Sequence, residues 1–137
     1  MLRYMLDTNL CIRLLRDRPP GLRPRVNAEA DSMCLSTVVL MELYRGALRS
    51  ARQSEKRAEV DDLASRTTVL TFDAAAADHT ADIRVALEAK GNVIGAYDLM
   101  IAGHARSRGL IVVTGNLGEF RRVEGLRSED WLAPDPS

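Results

Sequence analysis

Lysine is nearly missing from this sequence. Of 19 Lys+Arg residues only Lys56 and Lys90 are lysines, and 19 Asp+Glu leave a formal net charge of zero. That balance excludes a broadly basic, nonselective nucleic-acid binder, which carries a cationic excess. Arginine in place of lysine has two readings: bidentate phosphate contact and stacking, or simply the composition of a GC-rich genome. Aromatic residues make up only 4% of the chain, so the core has to be built from Leu, Val, Ile, Ala and Met. Cysteine is limited to Cys11 and Cys34, both in apolar runs without a histidine at ligand spacing. This excludes a zinc site or a disulfide framework and predicts two small buried side chains in a reducing cytosol. No apolar run approaches the ~20 residues of a membrane helix, and the opening MLRYMLDTN is too short for a signal peptide. The expectation is a cytoplasmic protein with no membrane partner. Phosphate-cradling loops of the G-x-x-x-x-G-K and G-x-G-x-x-G types are missing too, so nucleotide-dependent chemistry has no support.

What is present reads as an ordinary globular chain, 46% hydrophobic and 28% charged. Its length suits one domain, expected over 1–132, with a disordered tail at 133–137. Short apolar runs predict strands at 2–6, 33–35, 68–72 and 110–114, with an edge strand inside 123–131. Amphipathic segments between them predict helices near 10–15, 22–30, 37–50, 52–66, 74–90 and 99–108. Ser36 or Thr37 caps the third helix and Asp73 the fifth, while Thr8 and Asn9 are placed to cap the first. Strands that are continuous apolar runs, alternating with helices, indicate a parallel sheet covered on both faces. In such sheets ligands bind beyond the carboxyl ends of the strands.

Four acids fall near that edge. Asp7 ends the first strand, Glu42 sits among apolar neighbours on the helix after the second, Asp98 opens the helix before the fourth, and Glu119 lies in the loop after it. Like charges gathered in one pocket repel unless a cation holds them. A hard divalent ion, Mg²⁺ above all, suits such an oxygen-rich set and orients a water as nucleophile. Asp7 and Asp98 are equally well placed as helix N-caps, and the two roles are compatible because a helix N-terminus tolerates anions. Thr8, Asn9, Thr114 and Asn116 stand beside these acids as supporting hydrogen-bond partners. His79 and His104 have no matching nucleophile or second histidine and read as structural.

These segments resemble a known family. The stretches MLDTN, STVVLMELYRGA, GAYDLMIAGHARSRGLIVVTGN and EFRRVEGLRSEDW are similar to PIN-domain toxins of the VapC type, most of all the branch that cleaves initiator tRNA. The likeness runs from Met1 to Trp131. It implies a PIN-like three-layer α/β/α sandwich around a mainly parallel sheet of four to five strands. It also implies an endoribonuclease dependent on Mg²⁺ or Mn²⁺, with Asp7, Glu42 and Asp98 matching the family's metal-binding and catalytic acids. Many relatives carry another acid just after the fourth strand; here that place reads Thr114-Gly115-Asn116, and Glu119 stands in for the missing charge. The resemblance further implies a homodimer, a cognate VapB-type antitoxin, contact with DNA only through that antitoxin, and an RNA substrate read at the anticodon loop. Arg13, Arg16, Arg45 and Arg49 are candidates for phosphate contact by helix position. Tyr44, Leu48 and the apolar residues of 10–15 either receive the antitoxin or simply pack in the core. Two rival readings are a phospho-receiver and a catalytically silent PIN-like binding module. The first lacks the paired acids after the first strand and the lysine after a late strand that its chemistry needs, and the second does not account for the retained acids.

Overall fold

The computed structural model describes residues 1–132, and the tail expected at 133–137 lies outside the described residues. Five strands run in chain order: β1 (Tyr4–Leu6), β2 (Met33–Ser36), β3 (Thr68–Leu70), β4 (Ile111–Thr114) and β5 (Ser128–Asp130). Seven α-helices connect them: α1 (Thr8–Leu15), α2 (Leu22–Ala28), α3 (Thr37–Leu48), α4 (Gln53–Ser65), α5 (Ala74–Ala89), α6 (Ala96–Ser107) and α7 (Leu117–Phe120). A single 3₁₀ turn at Ala30–Ser32 leads into β2. The sheet order is β3-β2-β1-β4-β5, every pairing is parallel, and helices cover both faces in three layers.

The strands at the centre are short and entirely buried. Tyr4, Met5 and Leu6 of β1 and Ile111, Val112 and Val113 of β4 are all lost from solvent, which is why both segments read as unbroken apolar runs. Each such side chain contributes about 1.5–3 kcal/mol on burial. Three helices begin on a side-chain cap that ends or directly follows an extended segment. Asp7 Oδ1 accepts from the Leu10 N–H (2.8 Å), Ser36 Oγ from the Val38 N–H (3.1 Å), and Asp73 Oδ1 from the Ala76 N–H (2.9 Å). A cap of this kind contributes about 1 kcal/mol.

Several boundaries differ from the sequence reading, each for a local reason. Of the three residues placed to cap the first helix, Asp7 does so and Thr8 and Asn9 do not, because Asp7 is the last extended residue and its carboxylate accepts from the Leu10 N–H. The third strand stops at Leu70, since the Phe72 N–H is taken by Thr37 Oγ1 (3.1 Å) instead of the ladder. The helix expected from Leu99 starts at Ala96: extended Gly95 is its N-cap, and the Leu99 N–H already bonds the Gly95 carbonyl (2.9 Å). Asp98 therefore lies in the first turn and is not the cap. Residues 117–120, expected as loop, form α7, anchored by the fully buried Phe120.

Cys11 and Cys34 are free and buried, and burial pushes the Cys34 thiol up to about 12, so both behave as inert packing residues. His104 is also wholly buried. Its Nδ1 is 2.8 Å from Ser36 Oγ, and its ring meets Phe72 edge-on at 5.5 Å.

Helices α5 and α6 approach closely at Gly103. A Cβ placed there would stand 2.7 Å from Thr80 Cα, nearer than packed backbone permits. Gly103→Ala is expected to destabilise the fold by about 1–3 kcal/mol, as overpacking a filled site does. A urea midpoint unchanged from wild type would show that the two helices are not held at this distance.

Candidate active site

Parallel pairing brings the ends of β1, β4 and β5 together. Leu6 pairs with Val113 and Thr114 with Asp130, so the residues that follow β1 and close β4 and β5 lie at one edge. Asp7 is the centre of this edge and is only 2% exposed. Its N–H donates to the Val113 carbonyl (3.0 Å). One carboxylate oxygen caps α1, and the other accepts from the Thr114 hydroxyl. Thr114 Oγ1 in turn accepts from the Asn116 N–H (2.8 Å), which orients the threonine toward Asp7.

The other three predicted acids surround this core. Glu42 is half-buried on α3, and its Oε1 accepts from the Thr8 hydroxyl. Thr8, read from the sequence as a partner for the neighbouring Asp7, thus serves the acid of a different helix. Asp98 is half-buried in the first turn of α6, where it is hydrogen-bonded to Glu119. Glu119 on α7 also accepts from the Gly95 N–H (3.3 Å). Asn9 is exposed on α1, and Asn116 contributes its backbone N–H. Sequence reasoning missed Asp130, which closes β5 and acts on Asp7 through its charge. The carboxyl-end rule identifies it once the edge strand is known to stop there.

Electrostatics shows that the acids form one group. Burial holds the Asp7 carboxyl above its usual range, against the hydrogen bonds from Thr114 and Leu10, and the charges of Glu42 and Asp130 push the same way. Asp98 is pushed up to about 8, first by burial, then by its hydrogen bond to Glu119, then by the charges of Glu119, Asp7 and Glu42. Glu119 moves the other way, chiefly because Asp98 donates to it. Of the two, Asp98 is the carboxyl that holds its proton more readily. Among the described residues no three His, Cys, Asp or Glu side chains already converge as a metal cage. Asp7, Glu42 and Glu119 are instead each turned to a hydrogen-bond donor, and Asp98 donates to Glu119. The donor set is nonetheless all oxygen, partly buried and mutually repulsive, which is the chemistry that a hard divalent cation relieves.

Glu42 has a second neighbourhood. It lines a groove of about 320 Å³ whose apolar wall is Ile12, Leu15, Leu43, Ala47 and Val60. Leu10, Cys11 and Leu14 of the same helix are buried in the core, while Ile12 is 36% and Leu48 54% exposed. The Tyr44 hydroxyl donates to Asp61 and its ring carries Arg57 at 4.7 Å.

The PIN-domain family matches residues 4–126. The chain is 51% identical over 131 residues to the tRNA(fMet)-specific endonuclease VapC of Shigella flexneri, an overlap spanning 96% of this chain and 99% of that protein. It is 43% identical over 132 residues to ribonuclease VapC2 of Haemophilus influenzae, across 96% of this chain and all of the other. Among solved structures it aligns with TM-score 0.92 to a chain of DNA-bound VapBC from Salmonella typhimurium, 50% identical and covering 96% and 99% of the two chains. It aligns with TM-score 0.90 to a chain of promoter-DNA-bound VapBC2 from Rickettsia felis, 32% identical and covering 95% and 99%. The fold is that of a PIN domain, and within that family the chain belongs to the VapC proteins. PIN-domain nucleases are generally dependent on divalent metal.

The raised Asp98 has a consequence for stability. A carboxyl whose folded value lies above its unfolded 3.8 contributes stability that is complete below that value and is lost as pH rises through about 8. In EDTA, the thermal midpoint of the wild type relative to Asp98→Asn is expected to fall between pH 5 and pH 8. Added Mg²⁺ should raise the wild-type midpoint more at pH 8 than at pH 5, because the cation needs the ionised acid. A wild-type-minus-variant difference that stays constant with pH would contradict the assignment of the proton to Asp98.

Proposed function

We propose that this chain is the ribonuclease toxin of a toxin–antitoxin pair, a cytoplasmic endonuclease that cuts initiator tRNA in its anticodon loop. The observation that carries this reading is the gathering of four acids, Asp7, Glu42, Asp98 and Glu119, at the carboxyl edge of a PIN-domain sheet. The tRNA(fMet)-specific names of the relatives from Shigella flexneri and Salmonella typhimurium support the substrate. Unpaired loop bases are the part of an RNA that proteins read most readily.

Asp7, Asp98 and Glu42 are the residues that would hold Mg²⁺ or Mn²⁺. When bound, such an ion lowers the pKa of a water to be used as nucleophile and offsets charge on the phosphoryl transition state. The remaining chemistry belongs to the chain. The Leu10 N–H and the Thr114 hydroxyl fix both oxygens of Asp7, and the Thr8 hydroxyl fixes Glu42, so the carboxylates are oriented before substrate arrives. Glu119 accepts the hydrogen bond from the Asp98 carboxyl, and as that proton leaves the new negative charge appears on Asp98.

The groove beside Glu42 supports an inhibitory partner. A VapB-type antitoxin segment lying along Ile12, Leu15 and Val60 reaches the acid edge from the same cleft, since Glu42 is part of its wall. The active form is read as a homodimer, in line with the family resemblance.

Incubating the purified protein with total RNA in Mg²⁺ or in EDTA, then mapping new 5′ ends, tests the activity. Cuts confined to the initiator-tRNA anticodon loop and lost in EDTA are expected. Asp7→Asn should reduce cleavage by more than the 10- to 100-fold typical of losing a residue that only orients a metal ligand. Cuts spread evenly over all RNAs would remove the tRNA assignment, and equal cleavage in EDTA would remove the metal. For the partner, Ile12→Asp is expected to abolish co-purification with the antitoxin while leaving RNA cleavage within about twofold of wild type. Retained co-purification would place the antitoxin elsewhere.

A further inference from the structure

The acid edge poses a problem for its own substrate. A polyanion has to be brought beside carboxylates by a protein with no net positive charge, so the attraction has to be local. The stretch from the end of α1 to the start of α2 provides it. Arg13, Arg16 and Arg18 are exposed and share one cleft. Arg13 and Arg18 also line a second cleft of about 650 Å³, whose lining includes Gly115 and Asp130. Asp130 is the β5 acid whose charge acts on Asp7, so this second cleft runs from the arginines to the acid edge.

These arginines are also unspent. Arg23, Arg52, Arg66, Arg84 and Arg106 each form an ion pair, whereas among the described residues none of Arg13, Arg16 and Arg18 does. Asp17, the acid that lies between them in the chain, is already claimed. It pairs with Arg23 Nε at 3.4 Å, and Arg23 is itself anchored through Nη2 to the Leu14 carbonyl (2.9 Å). The backbone holds the set together as well. The Arg18 N–H donates to the Arg13 carbonyl (3.1 Å) and the Asp17 N–H to that of Leu14 (3.1 Å), with Asp17 in the left-handed region at φ 56°. Three guanidinium groups on a short, internally bonded turn, without carboxylates of their own, are suited to bidentate contact with phosphates.

We infer that Arg13, Arg16 and Arg18 form the track that binds the RNA backbone next to the scissile phosphate, and that substrate enters across the α1–α2 turn. This deepens the ribonuclease reading and rests on it. It also divides the four arginines singled out by helix position: Arg13 and Arg16 belong to the track, while Arg45 and Arg49 line neither these clefts nor the groove at Glu42. All three track residues position substrate.

The test separates binding from cleavage. Binding of a fluorescein-labelled anticodon stem-loop of initiator tRNA is measured by anisotropy in EDTA, from 50 to 200 mM salt, where no metal-dependent cut occurs. Arg13→Gln and Arg18→Gln are each expected to weaken binding about five- to tenfold and to lower the slope of log affinity against log salt by about 0.7–0.9. The double variant should lose about twice that slope. Arg84→Gln, which breaks an exposed pair with Glu88 on α5, should change neither. A change of affinity with an unaltered salt slope would indicate a merely structural effect and overturn the proposal. So would wild-type binding by both variants, or loss of the antitoxin complex with RNA binding intact, which would make the cleft a protein-docking surface. Cleavage by the wild type in Mg²⁺ is followed in parallel. Its absence, with arginine-dependent binding intact, would overturn the ribonuclease reading and leave the track standing.

Discussion

The parallel pairing of β1 with β4 is the constraint on which the acid edge depends. Because Leu6 faces Val113, the residue after β1 and the last residue of β4 are neighbours, and Asp7 meets the Thr114 hydroxyl. That single contact joins residues 107 positions apart in the chain. The same register sets Asp130 beside Thr114 on the outer strand. A slip of one residue would turn every side chain of these strands to the opposite face. The completely buried run Ile111–Val113 makes such a slip costly. Packing in the sheet therefore fixes the arrangement of the acids.

Asp7 carries a structural and a chemical duty at once. Its cap on α1 requires an ionised or strongly accepting oxygen, while burial and the charges of Glu42 and Asp130 favour the neutral form. The Asp98–Glu119 pair resolves the same conflict differently, by sharing one proton. An edge built from carboxylates opposes the fold unless hydrogen-bond donors or a cation meet them. Thr8, Thr114 and the Leu10 and Gly95 N–H groups are the donors that the chain itself supplies. Sites of perturbed acidity held in this way are where chemistry concentrates in folded proteins.

Much of this was legible in the sequence, and the parts that were not share a cause. The central strands announce themselves because burial on both faces leaves unbroken apolar runs, and Asp7 stands where one such run stops. Glu42 and Asp98 follow from that edge once the alternation of strand and helix is accepted. The start of α6 was misplaced because Gly95 caps it with backbone alone and leaves no side-chain signature. α7 went unread because four residues are too few for a period to show, and only the buried Phe120 holds it. Asp130 was overlooked since β5 is half-exposed and polar, so its end could not be located from hydropathy. The tie between Thr8 and Glu42 is likewise tertiary. Adjacency in the chain favours Asp7, but the fold brings α1 and α3 into contact and gives the hydroxyl to the more distant acid.

The buried histidine brings a mechanical consequence. Through Ser36, His104 fastens the last turn of α6 to the residue that both ends β2 and caps α3. Those are the helices that bear Asp98 and Glu42. With Gly103 seated against Thr80 one residue away, α6 is clamped on two sides. The two acid-bearing helices are thus joined through one buried hydroxyl, so a change at Ser36 reaches both of them.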